Sequence, residues 1–177
     1  MKKPSPLVFI GVRYGAIAGV LAIVLLIAMY YIGRHPLMVS PFVDFRILLF
    51  GVFIFFSLRE FREDYQAGTL YFWQGMIGSF IMVMVAGTLA SILLLIFCSF
   101  ENEFILSFVK LRIEYLKTFP PEDIKRIGKE VFERNLELVS STNSKQIASL
   151  YFAQSLMIGL FVGIILSVIL RKQPKPE

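Results

Sequence analysis

Long apolar runs separated by short charged blocks organise this chain of 177 residues. Three of the runs, at residues 7–32, 72–100 and 147–170, are long enough to cross a bilayer, because about 20 residues of α-helix span its hydrocarbon core. A fourth and shorter run lies at residues 42–58. The pattern therefore predicts an all-α integral membrane protein with four transmembrane helices in a single membrane domain.

The run at residues 42–58 permits two interpretations. Only residues 47–58 are strongly apolar, and a full crossing has to include Asp44 and Arg46. We interpret the run as a crossing that holds these two charges near the membrane surface. The alternative is a re-entrant or interfacial segment that does not cross the bilayer.

The longest polar region, residues 101–146, is predicted to form an amphipathic helical hairpin between the third and fourth spans. Residues 109–115 alternate between apolar and charged side chains, which is also typical of a strand. A single strand needs a partner, and the sequence offers no second candidate, so we favour a helix. Its shared apolar face consists of Phe104, Phe108, Leu111 and Tyr115.

A second helix of the hairpin is predicted after Pro120 and Pro121, where prolines and acidic residues suit a first helical turn. Its apolar side chains recur at helical spacing and lie on one face. That face would lie on the membrane surface or against the spans. The hairpin is then either a structural cap on the bundle or a lid that binds a partner. The apolar residues of this face are Ile124, Ile127, Val131 and Leu138.

The distribution of basic residues predicts which side each loop faces, since cytoplasmic loops carry an excess of lysine and arginine. Basic residues flank the first span, occupy the second loop and close the chain, so both termini are predicted to be cytoplasmic. The hairpin carries eight basic residues on the other side, together with eight acidic ones. The cytoplasmic set is Lys2, Lys3, Arg13, Arg59, Arg62, Arg171, Lys172 and Lys175.

Small residues recur every four positions in the first and fourth spans, which places them on one face of each helix. Such stripes let helix backbones approach closely in lipid. We expect the two spans to pack against each other through them, and homodimerisation through the same stripes is the alternative. The stripes are Gly11, Gly15 and Gly19 in the first span, and Ser155, Gly159, Gly163 and Ser167 in the fourth.

Polar residues inside membrane spans are candidates for function. Arg13 lies one turn inside the first span and is expected to extend its side chain to the cytoplasmic surface. Asp44, Arg46 and Gln74 are the candidates for a shallow polar entrance. No charged residue falls at the centre of a predicted span, which argues against a proton-coupled transporter.

The remaining chemistry of the sequence is sparse. The net charge of +5 does not indicate nucleic-acid binding, because the basic residues flank spans and form no continuous patch. Cys98 and His35 are the only residues of their types, and no hydrolase, metalloprotease or nucleotide-binding motif occurs. We therefore expect no enzyme activity, cofactor or metal. The expected partners are the lipid bilayer and a second copy or another membrane protein, and a small-molecule or ion permeation protein is the alternative.

The sequence also resembles a known family. The segments RYGAIAGVLAIVLLIAMYYIG (residues 13–33), FREDYQAGTLYFWQGMIGSF (61–80) and SLMIGLFVGIILSVILRK (155–172) are arranged as in domain of unknown function family 4199, which is found mostly in Bacteroidetes. The resemblance implies a location in the bacterial inner membrane and a four-helix architecture, and it implies no activity. The matching positions are Arg13, Tyr14, Gly15, Gly68, Phe72 and Gln74.

Overall fold

The computed structural model describes residues 5–40 and 43–173, and these residues fold almost entirely into helices. The predicted cytoplasmic residues Lys2, Lys3 and Lys175, and the predicted start of the second span at residue 42, lie outside the described residues. The all-α prediction is confirmed for the described part. The helices are α1 (Pro6–Tyr31), α2 (Phe45–Glu60), α3 (Phe72–Phe100), α4 (Asn102–Lys117), α5 (Pro121–Ile127), α6 (Lys129–Ser140) and α7 (Ser144–Ile169).

Three helices in the described part of the chain are long and apolar enough to cross a membrane. They are α1 and α7, with 26 residues each, and α3, with 29 residues. At about 1.5 Å per residue each is longer than the roughly 30 Å hydrocarbon core of a bilayer. The structure therefore supports a membrane-embedded protein built on α1, α3 and α7.

The helix α2 has only 16 residues, so it is about 24 Å long and shorter than the hydrocarbon core. A 3₁₀ turn at Pro36–Met38 precedes it, and a π-helical turn at Phe61–Tyr65 continues it. The chain between α1 and α3 thus combines a short helix with irregular backbone at its start. Irregular backbone is tolerated at membrane depth only where protein covers it, and Leu37 in this segment is buried.

The helix α3 is the centre of the bundle, and α1 and α7 each pack along it. A Cβ added at Gly19 would lie 2.8 Å from the carbonyl oxygen of Ala86, and one added at Gly11 would meet Ile81, so α1 and α3 run parallel. On α7, Gly163 faces Ser79 and Gly159 faces Val83, so α7 runs antiparallel to α3.

The expected packing of the two small-residue stripes against each other is therefore wrong. The glycines of both stripes contact α3 instead, because α3 has small residues of its own on the faces it presents to them. Ser155 and Ser167 of α7 likewise lie beside α3, next to Gly87 and Gly75. Since these stripes are covered within one chain, they offer no free surface for homodimerisation. The buried glycine, alanine and serine residues of α3 are Gly75, Gly78, Ser79, Ala86, Gly87 and Ala90.

The helix α2 runs back along the bundle, opposite to α1 and α3. Leu49, near its start, shares a buried apolar cluster with Leu94 near the end of α3. Leu58, near its end, lies beside Gly78 near the start of α3. After the π-helical turn, the chain is fixed to the end of α7 by a two-bond backbone pairing of Leu70 with Lys172, at 2.8 and 2.9 Å.

The polar region between α3 and α7 is helical, so the choice of helix over strand is correct. The prediction of one continuous helix after the two prolines is wrong, because Gly128 ends α5 with φ of +97°, in the left-handed region that favours glycine. In α4, Phe104 and Phe108 are buried but Leu111 and Tyr115 are exposed. Only the first half of α4 therefore packs on the bundle.

Candidate functional site

An ion pair between Asp44 and Arg46 is buried between α2 and α7. Asp44 is the N-cap of α2, and its Oδ1 accepts the backbone N–H of Arg46 at 2.9 Å. The Arg46 side chain then donates from Nε to Oδ1 at 2.9 Å and from Nη2 to Oδ2 at 2.5 Å. The two side chains are only 2% and 4% exposed. They point toward each other because Asp44 precedes the helix rather than forming part of it.

The other donors of Arg46 bind α7. Nη1 donates to the carbonyl oxygen of Tyr151 at 3.2 Å and to the hydroxyl of Ser155 at 2.9 Å, and Nη2 donates to Oε1 of Gln154 at 3.0 Å. The guanidinium carbon also lies 4.4 Å from the centre of the Tyr151 ring, a cation–π distance. All five N–H groups of the guanidinium are thereby paired. These hydrogen bonds hold the start of α2 against α7.

The depth of this ion pair differs from the predicted position near the membrane surface. Ser155 lies beside Gly87, and a Cβ on Gly87 would be 3.5 Å from the Ser155 Cβ. Gly87 is the sixteenth of the 29 residues of α3, and Ser155 is the twelfth of the 26 residues of α7. The guanidinium of Arg46 thus lies at mid-length of the long helices. Intramembrane ion pairs of this kind are rare and face the bundle interior.

Gln74 lies at the end of the bundle where α3 begins. Its Oε1 accepts the backbone N–H of Tyr71 at 3.0 Å, which caps the first turn of α3. The adjacent Gly75 contacts Ser167 near the end of α7, whereas Arg46 contacts Ser155. Twelve residues of α7 separate these levels, which is about 18 Å. The structure therefore does not bring Gln74 together with Asp44 and Arg46, and the three residues do not form one entrance.

A groove of about 530 Å³ adjoins the ion pair. It lies between α4, α6 and α7, and Arg112 is the only charged residue in its lining within the described part of the chain. The polar lining residue furthest along α7 is Gln154, whose side chain also accepts a hydrogen bond from Arg46. Its volume falls within the range of small-molecule pockets. The lining residues are Leu37, Phe108, Arg112, Leu116, Asn135, Leu138, Val139, Thr142, Gln146, Ile147, Leu150 and Gln154.

His35 connects the loop after α1 to α4 through a hydrogen bond, a contact that the sequence did not indicate. Its Nε2 donates to the carbonyl oxygen of Phe104 at 3.1 Å, and its ring centre is 4.6 Å from that of Phe104. Its Nδ1 is buried without a partner among the described residues. Burial lowers the pKa of His35, and the bond to the Phe104 carbonyl opposes this shift only in part.

At the other end of the bundle, Arg13 of α1 pairs with Glu60 at the end of α2. The hydroxyl of Tyr14 donates to the same carboxylate at 2.9 Å. The Arg13 side chain is 45% exposed, so it reaches the surface as expected but does so in an ion pair with Glu60. This pair holds the end of α2 against α1.

Metal ligands do not converge anywhere in residues 5–40 and 43–173, where no group of three His, Cys, Asp or Glu side chains could hold a metal ion. Cys98, the only cysteine of the chain, is buried near the end of α3. The site that the structure offers is therefore the buried Asp44–Arg46 pair with the adjoining groove.

Comparison with known proteins identifies the family of the chain. No curated protein and no solved structure matches it. A family described as "Protein of unknown function (DUF4199)" matches residues 13–172, which include most of α1, all of α3 and α7, and the site described above. The chain therefore belongs to the DUF4199 family.

Proposed function

We propose that the protein is a non-enzymatic component of the bacterial inner membrane that crosses the bilayer four times and binds a membrane-protein partner through residues 101–146. The four crossings are supported by the direction of the helices. Because α1 and α3 run parallel, the chain between them has to return along the bundle. The helix α2 with its flanking turns makes that return, and α7 adds the last crossing.

Both termini lie on the cytoplasmic side in this proposal. Three contacts place basic residues at the same end of the bundle. Arg13 pairs with Glu60, and Arg62 donates to the carbonyl oxygen of Leu170 at 3.3 Å. The backbone of Lys172 pairs with that of Leu70. An excess of basic residues marks the cytoplasmic side of membrane proteins. Residues 101–146 are then on the extracytoplasmic side.

Cysteine labelling tests this orientation. In a Cys98→Ser background, Lys129→Cys should react with a membrane-impermeant maleimide in spheroplasts. The matched control is Arg59→Cys, an exposed position on α2, which should react only after the membrane is permeabilised. The reverse pattern would overturn the orientation, and labelling of both sites in intact spheroplasts would overturn the four crossings.

The observation that carries partner binding is the exposure of apolar side chains on α5 and α6. Neither helix contains a buried residue. Ile127 of α5 and Val131 and Leu138 of α6 are exposed by 41%, 51% and 54%. Apolar surface on a segment outside the bilayer is typical of interaction sites. A membrane protein is favoured as the partner, because it can reach α5 and α6 from within the same membrane.

Affinity purification from native membranes tests partner binding. We expect a stoichiometric partner or a second copy with the wild-type chain, and its loss on Val131→Glu. Glu133→Gln on the polar face of α6 is the matched control and should keep the partner. A chain that is monomeric and partnerless in mild detergent and after crosslinking in native membranes would contradict the proposal.

A second candidate function is the permeation of a small molecule or ion, and the buried Asp44–Arg46 pair beside the groove is the observation that favours it. Charged groups inside membrane bundles often mark such pathways. Flux in proteoliposomes that falls on Asp44→Asn would support it. Flux unchanged by Asp44→Asn would remove the ion pair from the pathway, and absence of flux for a panel of ions and small solutes would count against the function itself.

A further inference from the structure

The groove between α4, α6 and α7 has the features of a site for an amphiphile. Seven of its twelve lining residues among the described part of the chain are apolar, and all three helices contribute such residues, including Phe108, Leu138 and Leu150. The other five are polar, and they include Asn135 of α6 and Thr142, which follows α6. Ligand sites commonly combine an apolar lining with a small number of placed polar groups.

The charge of the groove indicates that the polar head group of the ligand is anionic. Among residues 5–40 and 43–173, Arg112 is the only charged residue that lines the groove, and no carboxylate of these residues lies within ion-pair distance of it. Its guanidinium lies 5.6 Å from the centre of the Tyr115 ring, which leaves its planar set of N–H donors available. Such a fork suits the oxygens of a phosphate or carboxylate.

The length and position of the groove indicate that the apolar part of the ligand is an acyl chain. Its wall on α7 extends from Gln146 to Gln154, which is about 12 Å along the helix axis. One leaflet of the hydrocarbon core is about 15 Å thick. Since α7 is apolar enough to cross a membrane, this wall faces a depth at which acyl chains are present.

We propose that this groove binds one anionic phospholipid of the surrounding bilayer. The phosphate binds Arg112 near the polar residues Asn135 and Thr142. An acyl chain packs on Ile147 and Leu150 and ends near Gln154. The bound lipid fills the space between α4, α6 and the bundle, and thereby sets the position of α6. This binding does not depend on a protein partner.

Native mass spectrometry of the full chain in a neutral detergent tests the proposal, with phosphatidylglycerol, phosphatidylcholine and palmitate as separate probes. We expect one phosphatidylglycerol to bind about tenfold more tightly than phosphatidylcholine, a difference of about 1.4 kcal/mol. Arg112→Gln should remove this preference. Arg126→Gln is the matched control, because Arg126 lies outside the groove on α5 and pairs with Asp123.

A second variant separates binding from folding. Leu150→Trp fills the apolar part of the groove and should reduce the occupancy of phosphatidylglycerol while the far-ultraviolet circular dichroism remains that of the wild type. Equal binding of the two phospholipids, or unchanged preference in Arg112→Gln, would overturn the proposal. Binding of palmitate without binding of phosphatidylglycerol would also overturn it, since the ligand would then be a free fatty acid. Failure of partner purification would leave these outcomes unaffected.

Discussion

Arg46 at the start of α2 donates a 2.9 Å hydrogen bond to the hydroxyl of Ser155 at mid-length of α7, although 109 positions separate the two residues in the sequence. The bond holds a guanidinium and its partner Asp44 inside the bundle, where the two side chains are almost fully buried. A buried ion pair is weak evidence for stability by itself, but loss of one member leaves an uncompensated charge. The stability of the bundle should therefore depend on both residues together.

Removal of the Arg46 charge should destabilise the protein strongly. We expect Arg46→Gln to reduce the free energy of unfolding by about 3–5 kcal/mol, because the Asp44 carboxylate remains buried without its partner. Thermal unfolding in a mild detergent measures the change. Arg13→Gln is the matched control, since the Arg13–Glu60 pair is partly exposed and such pairs contribute about 0–1 kcal/mol.

The double substitution Asp44→Asn with Arg46→Leu should recover much of this loss. Both charges are then absent, and the asparagine introduced in place of Asp44 keeps an oxygen that accepts the backbone N–H at the start of α2. The melting temperature should lie above that of either single variant. Additive losses in the double variant would show that the ion pair does not couple the two residues.

Close contact between α1 and α3 should make Gly19 intolerant of a larger residue. A Cβ at this position would lie 2.8 Å from the carbonyl oxygen and 3.1 Å from the Cα of Ala86, both of which are backbone atoms. We expect Gly19→Ala to destabilise the protein by about 1–3 kcal/mol, as overpacking generally does. Gly51→Ala is the control, because no atom of residues 5–40 or 43–173 lies within 4 Å of its added Cβ, and it should leave the melting temperature unchanged or slightly raised.

The stability of the protein should fall as pH falls below 6.5 because of His35. Burial lowers its pKa in the folded state below the ordinary value of 6.5. Between these two pKa values the unfolded chain binds more protons than the folded one, so acid favours unfolding. The stability that neutral His35 permits is fully present above pH 6.5. It is lost as pH falls below the pKa of His35 in the unfolded chain and toward its lower pKa in the folded protein.

Melting temperatures between pH 5.5 and 7.5 check this prediction. His35 is the only histidine, and His35→Gln should flatten the pH dependence while it keeps a side-chain donor for the Phe104 carbonyl. The same slope in wild type and variant would exclude His35 as its source. Increased proteolysis of α4 at low pH in the wild type alone would locate the effect at the contact with Phe104.

A reversed charge at Arg62 should loosen the end of the bundle where α3 begins. Arg62 donates to Oε1 of Glu63 and to the carbonyl oxygen of Leu170, next to the pairing of Leu70 with Lys172. We expect Arg62→Glu to increase hydrogen exchange at Leu70 and Lys172, because it removes the link to α7 and adds a like charge beside Glu63. Glu63→Gln should preserve the protection, since the bond to Leu170 remains.

The periodicity of apolar residues determined the helices themselves. Long apolar runs can be satisfied in a bilayer only by helices, so the bounds of α1, α3 and α7 followed closely from the sequence. The preference of helix over strand for residues 101–117 also followed, because no second strand was present. The break at Gly128 did not follow, since a glycine inside a helical pattern is compatible with continuation at a cost of about 1 kcal/mol.

The pairing of elements was decided by the tertiary structure. The stripes of α1 and α7 specified a close helix contact but not its partner, and the small residues of α3 made it the common neighbour. Asp44 and Arg46 stood at the edge of an apolar run, and only the irregular backbone before α2 placed them at mid-length of α7. Spacing along a chain fixes which side chains share a helical face. Which face meets which, and at what depth, depends on the packing of all the helices at once.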